Sequence, residues 1–200
     1  MNIFVTDLDP KIAARNLCDK HVSKMLLEST QLLSNAVRLY HPDAETAPYK
    51  FTQATHPSSK WVTEARENFE WLLEHAYEIN REFVARFDNT HKCHDALVHI
   101  SNVKRYMNYP QKEMTAFKHV MPKIYRTQDI VSSYRSYIID AKTFAKWEKG
   151  RSPPEWYFTH VVEYNHGEIE EYVKQGFKLP ERYGLRYLSE PKAVIDQIFT

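Results

Sequence analysis

The sequence predicts an all-α protein: a single compact helical domain over residues 1–158 with a long N-terminal helix, followed by a C-terminal extension over 159–200. Three observations carry that expectation. Two stretches, 11–40 and 58–87, contain neither glycine nor proline. Both space their apolar residues with a helical period rather than by alternation. Residues 3–8 are short and only partly alternating, and 200 residues are enough for one domain but not for two full ones.

Residues 3–8, Ile-Phe-Val-Thr-Asp-Leu, read as a short strand or an extended arm. Asp9 and Pro10 follow as an N-cap and a first-turn proline, opening a helix expected to continue to Tyr40. On a wheel of about 100° per residue, Val22, Met25, Leu26, Leu32, Leu33, Ala36, Val37 and Tyr40 fall within an arc of about 140°, the expected core face. Residues 41–59 hold three prolines and read as a loop. Ser58 or Ser59 is expected to cap a second long helix reaching Phe87. Trp61, Val62, Ala65, Phe69, Leu72, Leu73, Ala76, Ile79 and Phe83 form its buried stripe. A third helical stretch covers about 93–107, and Pro110 and Pro122 bracket an irregular connection. A fourth helix is expected from Asp129 to Glu148. After Arg151-Ser152-Pro153-Pro154 the composition turns to tyrosine and glycine, with short helical pieces expected near 167–175 and 190–199.

Composition removes several function classes. The four glycines compare with roughly fourteen at ordinary usage of about 7%, and none precedes Gly150. Phosphate-cradling loops need glycine, because the backbone must take positive φ and approach the phosphate without a Cβ. A Walker A loop, a dinucleotide fingerprint and a glycine nucleophile elbow are therefore excluded, and no cofactor is expected. Twenty-seven Lys and Arg against 26 Asp and Glu leave a net charge of +1. That argues against holding nucleic acid by bulk charge and leaves room for a local basic face. Two cysteines, Cys18 and Cys93, make no disulfide framework, and Cys18 on the core arc reads as a buried inert thiol. No segment is apolar enough to span a bilayer and the first residues carry no basic leader region, so a cytoplasmic protein with no membrane partner is expected.

The most informative pattern lies on the first helix. His21, Lys24, Glu28, Gln31 and Asn35 share an arc of about 80° beside the core arc, one polar row over four turns. A solvated face with an i,i+4 Lys24–Glu28 pair would look the same. This row, however, lacks the usual scatter of long charged side chains and borders the core, as a groove wall would. A carboxylate one turn from a lysine and two turns from a histidine can act as a general base or stabilise a cation. His91 and Lys92 precede a helix N-terminus, a place that suits an anion such as a phosphate. Thr90-His91-Lys92-Cys93-His94 has no common zinc spacing, so no metal site is expected. The fourth helix carries Arg135, Lys142 and Lys146 interleaved with Tyr134, Tyr137, Phe144 and Trp147, a pattern suited to phosphate contacts along a nucleic-acid backbone and equally to an amphipathic helix on a tyrosine-rich core.

At Leu17-Cys18-Asp19-Lys20-His21, followed by Glu28, the sequence resembles the phage pyrimidine-dimer DNA glycosylase/AP lyase family of the endonuclease V type. That family has an early helix with an Asp-x-His element and a glutamate seven residues after the histidine. Two further elements fall in order: a His-containing turn before a helix rich in Phe, Leu and Glu, as from His56 to Phe87, and an aromatic Pro-x-Trp-Tyr element, as at Pro154-Glu155-Trp156-Tyr157. The resemblance covers residues 1 to about 158. It implies that an N-terminal α-amine, here that of Met1, attacks C1′ of a damaged nucleotide in duplex DNA. Glu28 would handle protons and the sugar cation, with His21 beside it. α-Amines lose their proton at about pH 8 and are nucleophilic near neutrality. Leu27 and Gln31 stand where the family places arginines on this helix, and Lys24 is the nearest cation.

The expected activity is therefore DNA-base processing by a glycosylase/lyase-like reaction on damaged or modified pyrimidines, with Glu28, His21, Lys24 and Met1 as catalytic candidates. Gln31, Asn35, His91 and Lys92 are the substrate-binding candidates. Two alternatives stay open: a phage DNA hypermodification transferase joining an amine to an activated pyrimidine, and a non-catalytic nucleic-acid-binding helical module.

Overall fold

Asp9 caps a helix as its sequence requires: its Oδ1 accepts the backbone N–H groups of Lys11 at 2.7 Å and Ile12 at 3.2 Å. In this computed structural model, which describes residues 1–142 and 144–157, that helix is short. α1 (Pro10–Arg15) ends after six residues, and α2 (Asp19–Tyr40) starts afresh after an extended Cys18. The expected uninterrupted helix is thus two. The break is stabilised from α4 (Arg66–Phe87), whose Arg86 guanidinium donates to the carbonyls of Arg15 at 3.1 Å and Leu17 at 2.8 Å. Carbonyls that a continuous helix would bond internally find a charged donor instead.

The second expected helix is also divided. α3 (Pro57–Glu64) is capped by the His56 ring, whose Nδ1 accepts the Ser58 N–H at 3.2 Å, not by Ser58 or Ser59. Ala65 is extended, and α4 follows at once. A distant segment supplies the reason: Gln111 and Lys112 offer their carbonyls to the N–H groups of Arg66 at 2.9 Å and Glu67 at 3.0 Å, satisfying donors at a new helix start. At the far end of α4 Asp88 takes the left-handed conformation, φ 47°, that glycine usually fills.

α5 (His94–Val103) runs into a 3₁₀ turn, Lys104–Tyr106, matching the third expected stretch. α6 (Ile130–Ala141) is capped by Asp129 as expected, but stops seven residues short of Glu148. Among the described residues there is no strand, and residues 3–5 form a buried extended arm. The fold is all-α, with α2 and α1 packed on α4 and α3 against both long helices. Both predicted apolar stripes lie in the core. Every residue of the two is buried except Tyr40 and Phe83, which are partly covered. The expected extension over 159–200, with its helical pieces near 167–175 and 190–199, lies outside the described residues.

One core residue makes stability depend on pH. His75 on α4 is 1% exposed, stacks on Trp71 at 5.1 Å, and neither of its ring nitrogens has a hydrogen-bond partner among the described residues. Burial lowers its pKa to about 3. The folded state then stays neutral while the unfolded chain takes a proton near pH 6.5, so this contribution is complete above that pH and is lost as pH falls toward 3. Urea denaturation across pH 7 to 4 should show stability falling by about 1.4 kcal/mol per pH unit from this group. In His75→Leu that part of the slope should vanish, and an unchanged slope would place the proton uptake elsewhere.

Candidate functional site

The polar row on α2 divides along its length. Its first half faces a cavity of about 290 Å³, walled by the N-terminal arm, by α2 and by the residues that follow α6. Glu28, 14% exposed at its side chain, is the focus of this cavity. Its Oε2 accepts the backbone N–H of Asn2 at 2.9 Å and lies 3.9 Å from the α-amino nitrogen of Met1. Its Oε1 lies 3.6 Å from the Lys24 ammonium. Two different cations therefore approach the two oxygens of one carboxylate.

Asn2 holds the arm that makes this possible. Its amide donates to the Val120 carbonyl at 2.9 Å, and its Oδ1 accepts the Tyr134 hydroxyl at 3.0 Å and the Ile3 N–H at 2.8 Å. Nothing in the residue pattern marks Asn2 for this role, since the partners that anchor its side chain, Val120 and Tyr134, are more than a hundred residues away. Phe4, two residues on, stacks on the His21 ring at 4.5 Å, and Phe144 meets that ring edge-on at 5.4 Å. His21 is 4% exposed, and among the described residues no hydrogen bond reaches its ring. Burial first, then the charges of Lys142, Lys24 and Lys20, lower its pKa to about 4. The imidazole is neutral at physiological pH and can accept a proton but not donate one as an imidazolium.

Lys142 was expected on the fourth helix as a backbone contact; it sits just past the end of α6 and lines this cavity instead. Lys20 lines it too, its ammonium 4.5 Å from the centre of the Phe144 ring. Lys20 stands inside the Asp-Lys-His element, and its place on the first turn of α2 was the available signal.

The second half of the row is elsewhere. Asn35 is completely buried and structural: its amide donates to the Thr52 carbonyl at 2.7 Å and the Ser59 hydroxyl at 2.8 Å, and its Oδ1 accepts the Thr52 N–H at 3.0 Å. It ties the loop before α3 to α2 and cannot serve as the expected substrate contact. Gln31 is half-buried and does not line the cavity. His91 and Lys92 are also outside it. The His91 Nδ1 accepts the Cys93 N–H at 3.1 Å and its ring stands edge-on to Phe83 at 4.7 Å, a capped turn, while Lys92 is exposed.

The expected basic strip does not form. Arg135 donates to the Thr6 carbonyl at 2.9 Å, pairs with Asp7 at 3.5 Å and stacks on Trp156 at 5.4 Å. Lys146 pairs with Glu148 at 3.1 Å and lies beyond α6, whose early end separates it from Arg135. Residues 145–149 turn back to the start of α2, where Asp19 N–H donates to the Lys146 carbonyl at 2.9 Å and the Asp19 carboxylate accepts the N–H groups of Glu148 and Lys149.

A larger groove of about 610 Å³ lies between α1, α4 and α5, but its carboxylates are engaged. Glu74 pairs with Lys11, Glu70 pairs with Lys104, and Glu67 accepts the Met114 N–H. Among the described residues no cluster of three or more His, Cys, Asp or Glu side chains could hold a metal ion, and no helix is long and apolar enough to cross a membrane. Comparison with models of known families, with curated proteins and with solved structures finds no match.

Proposed function

We propose that the protein processes damaged or modified pyrimidine nucleotides in DNA by a glycosylase/lyase-like reaction at Glu28. The observation that carries this reading is the approach of the Met1 α-amine to the same carboxylate that Lys24 flanks, inside a cavity. A neutral amine adds to the aldehyde carbon, C1′, of an open-ring abasic sugar. The nitrogen gives a proton to Glu28, and the hydroxyl of the resulting carbinolamine takes one and leaves as water, forming an imine. Met1 is the nucleophile of choice. α-Amines lose a proton at about pH 8 and lysines at about 10.4, and Lys24, 66% exposed, lacks the burial that activates a lysine nucleophile.

Borohydride trapping on an abasic duplex tests the reading, because hydride reduces the imine to a stable secondary amine. The expected adduct maps to the peptide carrying Met1. An adduct at Lys24 would reassign the nucleophile, and no adduct at any pH from about 6 to 9, where α-amines lose their proton, would overturn the lyase chemistry. Transfer of an amine to an activated pyrimidine is the second reading. It is supported by the same cavity, where the Lys24 ammonium lies 3.6 Å from Glu28 and His21 stands beside them.

A further inference from the structure

The cavity holds more positive charge than its carboxylate can balance. Lys20, Lys24, Lys142 and the Met1 amine line it against Glu28 alone. Lys24 leans on Glu28, whereas Lys20 and Lys142 have no carboxylate partner among the described residues. Their ammonium groups are positioned by rings instead. Lys20 lies over Phe144, and Lys142 lies 4.5 Å from the Tyr137 ring centre while donating to the Tyr137 hydroxyl at 2.9 Å. The field of all three lysines is felt inside, since each depresses the basicity of His21. Unpaired cations gathered around a concave site attract an anion, and apart from the proton that Lys142 gives to Tyr137 their aromatic seats leave the ammonium protons available to meet it. The second component is apolar. Phe144 is 42% exposed at the rim, a large ring left in water beside the lysines. A planar heterocycle can stack there, as bases stack on aromatic platforms in single-strand sites. At about 290 Å³ the cavity is at the lower bound of small-ligand sites, about 300–1,000 Å³.

We propose that this cavity is a nucleotide-phosphate site: Lys20, Lys24 and Lys142 hold the phosphate and Phe144 carries the base, with the sugar placed toward Glu28. This deepens the reading above by naming what the site grips, and it rests on that reading only for the direction of the sugar. The phosphate can belong to a free mononucleotide or to a DNA strand, so both are probes.

Titration calorimetry on the full chain with thymidine 5′-monophosphate, thymidine, inorganic phosphate and a short single-stranded abasic oligonucleotide tests it. The monophosphate should bind more tightly than thymidine or phosphate alone. Lys142→Gln and Lys20→Gln should each weaken it about tenfold, as expected for a lost charged hydrogen bond. Phe144→Ala should weaken it by a similar factor while leaving inorganic phosphate unaffected. Glu28→Gln should tighten the monophosphate, because it removes the one negative charge facing it. Equal affinity for thymidine and its monophosphate, or lysine variants without effect on a folded protein, would overturn the proposal. Tighter binding of the oligonucleotide than of the monophosphate assigns the phosphate to DNA, and the reverse assigns it to a free nucleotide. The two readings separate cleanly. Lysine-dependent monophosphate binding without a borohydride adduct sinks the lyase and leaves the phosphate site standing. An adduct with lysine-independent binding does the opposite.

Discussion

Glu28→Gln is expected to lower the single-turnover rate on an abasic duplex by about 10²–10⁴, the range for losing a positioned general base. The thermal midpoint should change little. Glutamine keeps the shape and an oxygen that can accept the Asn2 N–H, so the arm stays docked, and only the charge facing Met1 and Lys24 is lost. Rate and melting measured on the same preparation separate the two effects. A variant that keeps its rate would remove Glu28 from the chemistry, whatever its position. A variant that loses both rate and several degrees of stability would instead mean that the carboxylate mainly anchors the arm.

The largest loss of stability is expected at Arg86, which does not line the cavity around Glu28. Its side chain is completely buried and donates to the Arg15 and Leu17 carbonyls, to Asp19 at 3.1 Å and to Glu82 at 2.8 Å. Burial pushes the Glu82 carboxyl up, but hydrogen bonds and charges from Arg151 and Arg86 outweigh it and hold it below the ordinary carboxylate range. Arg86→Met removes one half of a buried ion pair and strands two carbonyls at the α1–α2 break. The cost should be about 3–5 kcal/mol, read as the shift in urea unfolding. Arg151 donates to both oxygens of Glu82, to Oε1 at 2.6 Å and to Oε2 at 2.9 Å, but is 47% exposed, so Arg151→Met should cost about 1 kcal/mol, well below Arg86→Met. Similar losses at both positions would show that the carboxylate, not the break, is what Arg86 supports.

The helical class and the core faces were legible because they depend on local periodicity. Val22 through Val37 and Trp61 through Ile79 are buried where a 3.6-residue repeat places them. Both helix breaks escaped the pattern, because their causes are remote: Arg86 supports one, and the carbonyls of Gln111 and Lys112 support the other. No residue near Ala65 announces an interruption. The site was half legible. His21, Lys24 and Glu28 share a cavity as their spacing on one helix face implies, and Met1 reaches Glu28 by the folding back of a short arm. Asn35 lies on the same arc but farther along, where the loop before α3 covers the helix and turns a polar residue into a tether. A wheel diagram carries no information about what lies above each turn. Arg135 was over-read for a related reason. A basic residue on an aromatic helix faces solvent only if no backbone carbonyl waits opposite, and here Thr6 provides one.

The walls of the cavity come from three places in the chain: the arm at 1–4, the first turns of α2, and the pair Lys142 and Phe144. The first two are adjacent in sequence and can meet as soon as α2 forms. The third must close a loop of more than a hundred residues, the kind of contact that forms late in folding because its entropy is lost before the contact is made. During synthesis the α2 row therefore leaves the ribosome as an open, charged helix face, and the chamber is finished only when the polypeptide past α6 returns to Asp19. Nascent or prematurely terminated chains that end before Lys142 would carry Glu28, His21 and Lys24 but would have no enclosure around them. Closure of this site is thus tied to synthesis past Phe144, so copies that stop short of it leave Glu28 without a complete cavity.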